Sequence, residues 1–149
     1  MKPVGFDLVK PVLRELAKIR RNRHMLHHYG FLCYDIEETA EIYRKSMKAV
    51  SFLTVNCDSI SKILHYLVTK DGCLIELIQN KKYDGEPFTA KLDHIGYTID
   101  EDFKDLEQKD VIYIPELGAE VLFVDEYPVI TELLKFEEGC DPWEQIEIE

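Results

Sequence analysis

The stretch Leu26–Phe31, LHHYGF, returns as Leu92–Tyr97, LDHIGY. Both read Leu-x-His-x-Gly-aromatic. Side chains alternate across a strand, so Leu26, His28, Gly30 and Leu32 share one face. In the copy, Leu92, His94, Gly96 and Thr98 share the equivalent face. A glycine inside an apolar strand weakens it and marks a close approach to the backbone. The chain must therefore build two like strands, each with a histidine on an otherwise apolar or small face. The glycine beside each histidine is expected to leave room above the sheet for a ligand.

The segments around each strand repeat as well. After the first comes DIEETAEIYRKSM, a helix with Asp35 as N-cap and Glu38 in capping-box position. Ile36, Ala40, Tyr43 and Met47 form its apolar stripe. Three strand-like runs follow: AVSFLTV, ISKILHYLVT and CLIELIQ, the last two joined by the hairpin signal KDG. The order is β-α-β-β-β. After the polar linker NKKYDGEPF the order returns: a strand over Leu92–Ile99, a short helix over 101–109, then VIYIP, EVLFVD and VITELLKF. The expected organisation is a single α+β domain over 1–149. Module one covers 26–79, a linker 80–90 and module two 91–136. An irregular acidic tail over 137–149 tucks Trp143 and Ile146 against the body. A basic helix over 11–23 precedes the repeat. Neither copy can bury a sheet face alone, so the modules must pack on each other, within one chain or across a subunit contact.

Charge and composition exclude several classes of function. The net charge of -11 argues against nucleic acid as the main partner, because phosphate binding needs a basic surface. The basic residues Lys10, Arg14, Lys18, Arg20, Arg21 and Arg23 lie ahead of the repeat, and the end of the chain from Glu116 is acidic. Both read first as solvated surface, and a basic arm for an anionic ligand or a neighbouring subunit is the sharper alternative. No apolar run is long enough to cross a bilayer, and no apolar segment follows the charged N-terminus, so a cytoplasmic protein is expected. Cys33, Cys57, Cys73 and Cys140 include no Cys-x-x-Cys pair, so they are read as free thiols rather than zinc ligands.

The last strand of each module carries a further shared oddity. Leu74, Glu76 and Ile78 share a face, as do Ile130, Glu132 and Leu134. An unpaired carboxylate in an apolar strand costs several kcal/mol, so a cation or a wet cavity must compensate it. Two imidazoles and two carboxylates suit a first-row divalent ion such as Zn, Ni, Co, Mn or Fe. Any one of the four alone would read as a core histidine or a solvent-facing glutamate. Their recurrence in the same order twice favours the metal. His65 and Tyr66, in ILHYLV, are secondary substrate-binding candidates. As neighbours on a strand, at most one of them faces the cavity.

The residues HHYGFLCYDIEETAEIYRKSM, GCLIELIQ, LDHIGYTIDEDFKDLEQKDV and PVITELLKF resemble the paired openings and closing strands of the vicinal oxygen chelate superfamily. That superfamily includes glyoxalase I, methylmalonyl-CoA epimerase, ring-cleaving dioxygenases and bleomycin-resistance proteins. The resemblance covers roughly residues 26–136. It implies a curved mixed sheet around a cavity, with metal ligands at His28, Glu76, His94 and Glu132. His27 is the rival of His28, which alone occupies the His-x-Gly register shared with His94. Two features depart from the pattern: SMKAVSF lacks the glycine that usually follows the first helix, and the second module is the shorter.

The activity implied is that of a metal-dependent lyase or isomerase of glyoxalase or epimerase type. It would act on a small 2-oxo compound, hemithioacetal or acyl thioester. Glu132, with Glu76 second, would shuttle the proton. The alternative is a non-catalytic small-molecule-binding protein of the resistance type. A ring-cleaving dioxygenase uses two histidines and one carboxylate, so the second carboxylate counts against it. A homodimer is compatible with the resemblance.

Overall fold

The computed structural model describes residues 25–100, 103, 110–125 and 128–146. The helix expected over 11–23 lies outside them, as does all but Phe103 of the helix expected over 101–109. The described elements are β1 (Met25–Leu32), α1 (Ile36–Met47), β2 (Val50–Cys57), β3 (Lys62–Val68), β4 (Leu74–Asn80), β5 (Lys91–Thr98), β6 (Ile112–Ile114), β7 (Ala119–Val124) and β8 (Thr131–Phe136). None of the described helices is long and apolar enough to cross a membrane.

The helix starts where its chemistry dictates. Asp35 accepts a hydrogen bond from the Glu38 backbone N–H, and Glu37 and Glu38 sit in the first turn, where the helix dipole favours negative charge. Lys48, at φ 54°, ends it in a left-handed turn. Ala40 is fully buried, with Ile36 and Tyr43 packed beside it. Met47 departs from the expected stripe. It lies in the last turn, just before the chain turns away, and is exposed.

The strands form one eight-stranded sheet in the order β2-β3-β4-β1-β5-β8-β7-β6. β1 pairs parallel with β4, and β5 pairs parallel with β8. The halves join where β1 and β5 run antiparallel, so both first strands lie side by side within one chain. The modules therefore pair with each other within one chain. The sheet curls into a half-barrel, the glyoxalase-like arrangement.

The curl gives the sheet two faces. On the outer one, Leu67, Ile75 and Leu77 pack with Cys33 and Ala40 under α1. On the inner one, Tyr66, Leu74 and Ile78 from the first half meet Val121 and Leu134 from the second. The tail completes this inner core. It is not wholly irregular, as expected, but forms a short 3-10 turn, Pro142–Gln145, and Trp143 and Ile146 are fully buried. The tail thus fills concave space that the sheet alone would leave open.

Candidate metal centre

Register decides the centre. His28 on β1 stands opposite Gly96 on β5, and Gly30 on β1 stands opposite His94 on β5. In the parallel pairs, Gly30 also neighbours Glu76 and Gly96 neighbours Glu132. Two rows therefore cross the middle of the sheet: Glu76, Gly30 and His94 in one, His28, Gly96 and Glu132 in the other. Each row holds one imidazole, one carboxylate and a glycine between them.

The four polar side chains converge. His28 Nε2 lies 2.9 Å from His94 Nε2. Glu132 Oε1 lies 3.3 Å from His28 Nε2 and 3.4 Å from His94 Nε2. Glu76 Oε1 lies 3.6 Å and 3.3 Å from the same two nitrogens. All four residues are at most 5% exposed. Sixty-six residues separate the two histidines in sequence.

The glycines serve a purpose other than the one expected. A Cβ on Gly30 would lie 2.3 Å from His94 Cε1, and one on Gly96 would lie 2.3 Å from His28 Cε1. The room beside each histidine is filled by the imidazole of the other module, not by a ligand over its own strand. Each glycine is thus the seat of the opposite ring.

A second device sets the ring directions. The β1–β5 ladder slips once between Leu26 and His28 and once between Gly30 and Phe31. The extra residues are His27 on β1 and Asp93 on β5, each directly ahead of a cluster histidine. A bulge re-aims the side chains beside it. The His27 Nδ1 lies 2.7 Å from His28 Nδ1, and Asp93 Oδ2 lies 2.8 Å from His94 Nδ1. Each cluster ring is held at its rear nitrogen so that Nε2 points inward. Strict alternation would have sent His27 to the outer face, yet it is buried beside Phe136 with ring centroids 5.1 Å apart.

Tyr66 and His65 part as alternation requires. Tyr66 Oη donates to Glu76 Oε2 at 2.5 Å. His65 turns to the other face, 2.8 Å from both Thr54 Oγ1 and Ser51 Oγ, away from the cluster. Burial, then the Arg44 guanidinium, lowers the His65 pKa. In module two, Phe123 pairs with Glu132 where module one pairs Tyr66 with Glu76. Phe123 has no hydroxyl. Its ring instead contacts the His94 ring, centroids 5.6 Å apart, and is 46% exposed.

The electrostatics of the protein without an ion show what the cluster lacks. Burial disfavours the charged forms of Glu76 and Glu132, but the adjacent imidazoles outweigh it and hold both carboxyls below their usual range. Burial also opposes a charge on His94, yet the Asp93, Glu132 and Glu76 carboxylates beside it push it up to about 12. Even so, Glu132 Oε1 is buried with no hydrogen-bond partner. Buried carboxylates in excess of cations, and an acceptor left without a donor, are what a divalent ion would satisfy. His28, Glu76 and His94 offer ligand atoms within 4.8 Å of one another, a group that could hold a metal ion. Glu132 supplies a fourth donor beside them. The residues present fit a metal.

The described residues have the vicinal oxygen chelate (glyoxalase-like) fold. Among solved structures, the chain is similar to a methylmalonyl-CoA epimerase in complex with methylmalonyl-CoA and NH4+, with TM-score 0.58 and 19% identity over 80% of this chain and 98% of that one. It is similar to a Streptomyces coelicolor methylmalonyl-CoA epimerase variant in complex with 2-nitronate-propionyl-CoA, with TM-score 0.58, 20% identity and the same two coverages of 80% and 98%. It is also similar to the methylmalonyl-CoA epimerase from Mycobacterium tuberculosis, with TM-score 0.58 and 14% identity over 77% of this chain and 89% of that one. No protein-family profile and no curated protein matches the chain.

The histidine repeat and the mid-strand glutamates pointed to the cluster. Sequence reasoning missed Asp93 and Asp141 and treated His27 only as a rival ligand. The doublets His27-His28 and Asp93-His94 were the available signal, since each places a hydrogen-bonding residue directly ahead of its ring.

Proposed function

We propose that the protein is a metal-dependent isomerase of epimerase type. It removes a proton from carbon beside the carbonyl of a small acyl thioester or 2-oxo acid and returns it. The observation that carries this reading is the buried meeting of His28, Glu76, His94 and Glu132, with one carboxylate oxygen lacking a donor. The four would hold the ion through the two Nε2 atoms and the two Oε1 atoms. A divalent ion there supplies Lewis acidity, which stabilises negative charge developing on a substrate oxygen.

The chain's own residues divide the remaining work. Tyr66 Oη–H occupies Oε2 of Glu76, so Glu76 is fixed in place and has less capacity to accept a proton. Phe123 leaves the equivalent Glu132 without that donor. Glu132 is therefore the better base, with Glu76 second. His94 and His28 orient the pair, and the inner apolar core excludes water, which strengthens each electrostatic contact. A cleft of about 270 Å³ between β1 and the β3–β4 hairpin is lined in part by His27 and His28, the side from which a small substrate would approach. His65, on the other face, takes no part.

The near-complete burial of the four residues favours one second reading, a non-catalytic binder of the same fold. Metal analysis and turnover separate the two. Purified protein should hold about one divalent ion per chain, lost in His28→Ala and Glu76→Ala. It should also catalyse exchange of the carbon-bound proton of methylmalonyl-CoA or a related thioester with deuterated solvent, and Glu132→Gln should stop that exchange. An ion with no exchange across thioesters and 2-oxo acids would favour the binder. No ion in the wild type would end both metal readings.

A further inference from the structure

The tail joins the centre at one point. Asp141 Oδ1 lies 2.7 Å from His27 Nε2, and 114 residues separate the two in sequence. His27 Nδ1 in turn lies 2.7 Å from Nδ1 of His28. Asp141, His27 and His28 form an unbroken line, at 0%, 1% and 1% exposure, from the tail to the cluster. Trp143 fastens the line at both ends of its first link. Its backbone N–H donates to Asp141 Oδ1 at 3.0 Å, and its Nε1–H donates to the His27 carbonyl at 3.1 Å.

We infer that Asp141 is a positioning residue for the centre: through His27 it sets the tautomer and orientation in which His28 presents Nε2 to the ion. This rests on the metal reading above. With both imidazoles neutral, one proton arrangement satisfies both links of the line. Asp141 accepts from His27 Nε2–H. His27 Nδ1 then carries no proton and accepts from His28 Nδ1–H. His28 Nε2 is left with its lone pair facing into the cluster, 2.9 Å from His94 Nε2. If His27 Nδ1 carried a proton instead, it would donate to His28 Nδ1, whose own proton would have to sit on Nε2, where an ion needs the lone pair. The carboxylate at the far end selects between the two arrangements. Ligand histidines are commonly oriented in this way by a carboxylate on the other ring nitrogen.

Comparison of the modules strengthens the inference. In module two the bulged residue is itself a carboxylate, and Asp93 bonds His94 Nδ1 directly. In module one the bulged residue is a histidine, which can relay a hydrogen bond but holds no negative charge of its own when neutral. The tail supplies the missing carboxylate one link further out. Asp141 Oδ2 remains buried without a hydrogen-bond partner.

The test is Zn2+ affinity by competition with a chromophoric chelator, together with the visible absorption of the Co2+-loaded protein. Asp141→Ala should weaken Zn2+ about 10- to 100-fold, the usual scale for partners behind a ligand, and should alter the Co2+ bands. Asp141→Asn keeps an oxygen acceptor for His27 Nε2–H and should restore most of the affinity. Ile146→Ala loosens the same tail without touching the line. It should lower the melting temperature while leaving Zn2+ affinity within about twofold. If Asp141→Ala does not fold, His27→Phe keeps a ring against Phe136, removes both nitrogens and should show the same loss. A folded Asp141→Ala or His27→Phe protein with wild-type affinity and unchanged Co2+ bands overturns the inference. Wild-type protein that takes up neither metal overturns the metal reading itself, a distinct result.

Discussion

Gly30 carries no donor atom, yet its replacement by alanine should disable the centre. The added Cβ would lie 2.3 Å from Cε1, 2.6 Å from Nε2 and 2.7 Å from Nδ1 of His94, well inside van der Waals contact. The ring cannot swing aside freely. Asp93 holds its Nδ1 at 2.8 Å, and Glu76 and Glu132 lie 3.3 and 3.4 Å from its Nε2. Relief requires either moving His94 out of the cluster or separating β1 from β5 at their joint. Overpacking of this kind costs roughly 1–3 kcal/mol. At about 2–4 °C per kcal/mol for a chain of this size, the melting temperature should fall by about 2–12 °C. The metal effect should be larger, because a ligand is displaced: Gly30→Ala should resemble His94→Ala in metal content. Elemental analysis and chelator competition on folded protein, with a thermal melt for each variant, check this. Gly30→Ala protein that keeps a full complement of metal at wild-type affinity would refute the claim that each glycine seats the opposite imidazole.

Three further outcomes follow from the same geometry. Tyr66→Phe removes the hydroxyl that donates to Glu76 Oε2, a charge-assisted bond whose loss should cost about 1.5–3 kcal/mol in urea denaturation; an unchanged midpoint would show that Glu76 finds another donor. Without metal, His94 is held charged, and its raised value means that its contribution to stability is full below the ordinary value of 6.5 and lost as pH rises through about 12. An ion must displace that proton, so binding at pH 7 should release protons and affinity should rise with pH; calorimetry in buffers of different ionisation enthalpy measures this, and proton-free binding would contradict it. Burial, followed by the Glu116 and Glu76 carboxylates, pushes the Cys57 thiol up to about 11, and burial raises Cys33 as well; iodoacetamide at pH 8 should therefore spare both in native protein, as mass spectrometry of digests would show.

What the sequence determined by itself was local. Alternation along a strand put His28 and His94, and Glu76 and Glu132, on apolar faces, and their repetition was enough to name all four residues that meet. It also separated Tyr66 from His65 and marked the tail residues Trp143 and Ile146 as buried. What only the tertiary structure decided depends on pairs of strands rather than on one strand. The use of Gly30 and Gly96 is invisible until β1 and β5 are placed in register, because each accommodates a ring from the other module. The inward turn of His27 comes from a bulge, which shifts the side-chain alternation by one residue and exists only relative to the opposing strand. The difference between Glu76 and Glu132 comes from what pairs with each across the sheet: a tyrosine for one, a phenylalanine for the other. Asp141 reads as one acid in an acidic tail until the chain folds it onto His27. A period of two is a property of neighbouring residues, whereas a hydrogen bond across a register is fixed only when distant strands have closed on each other.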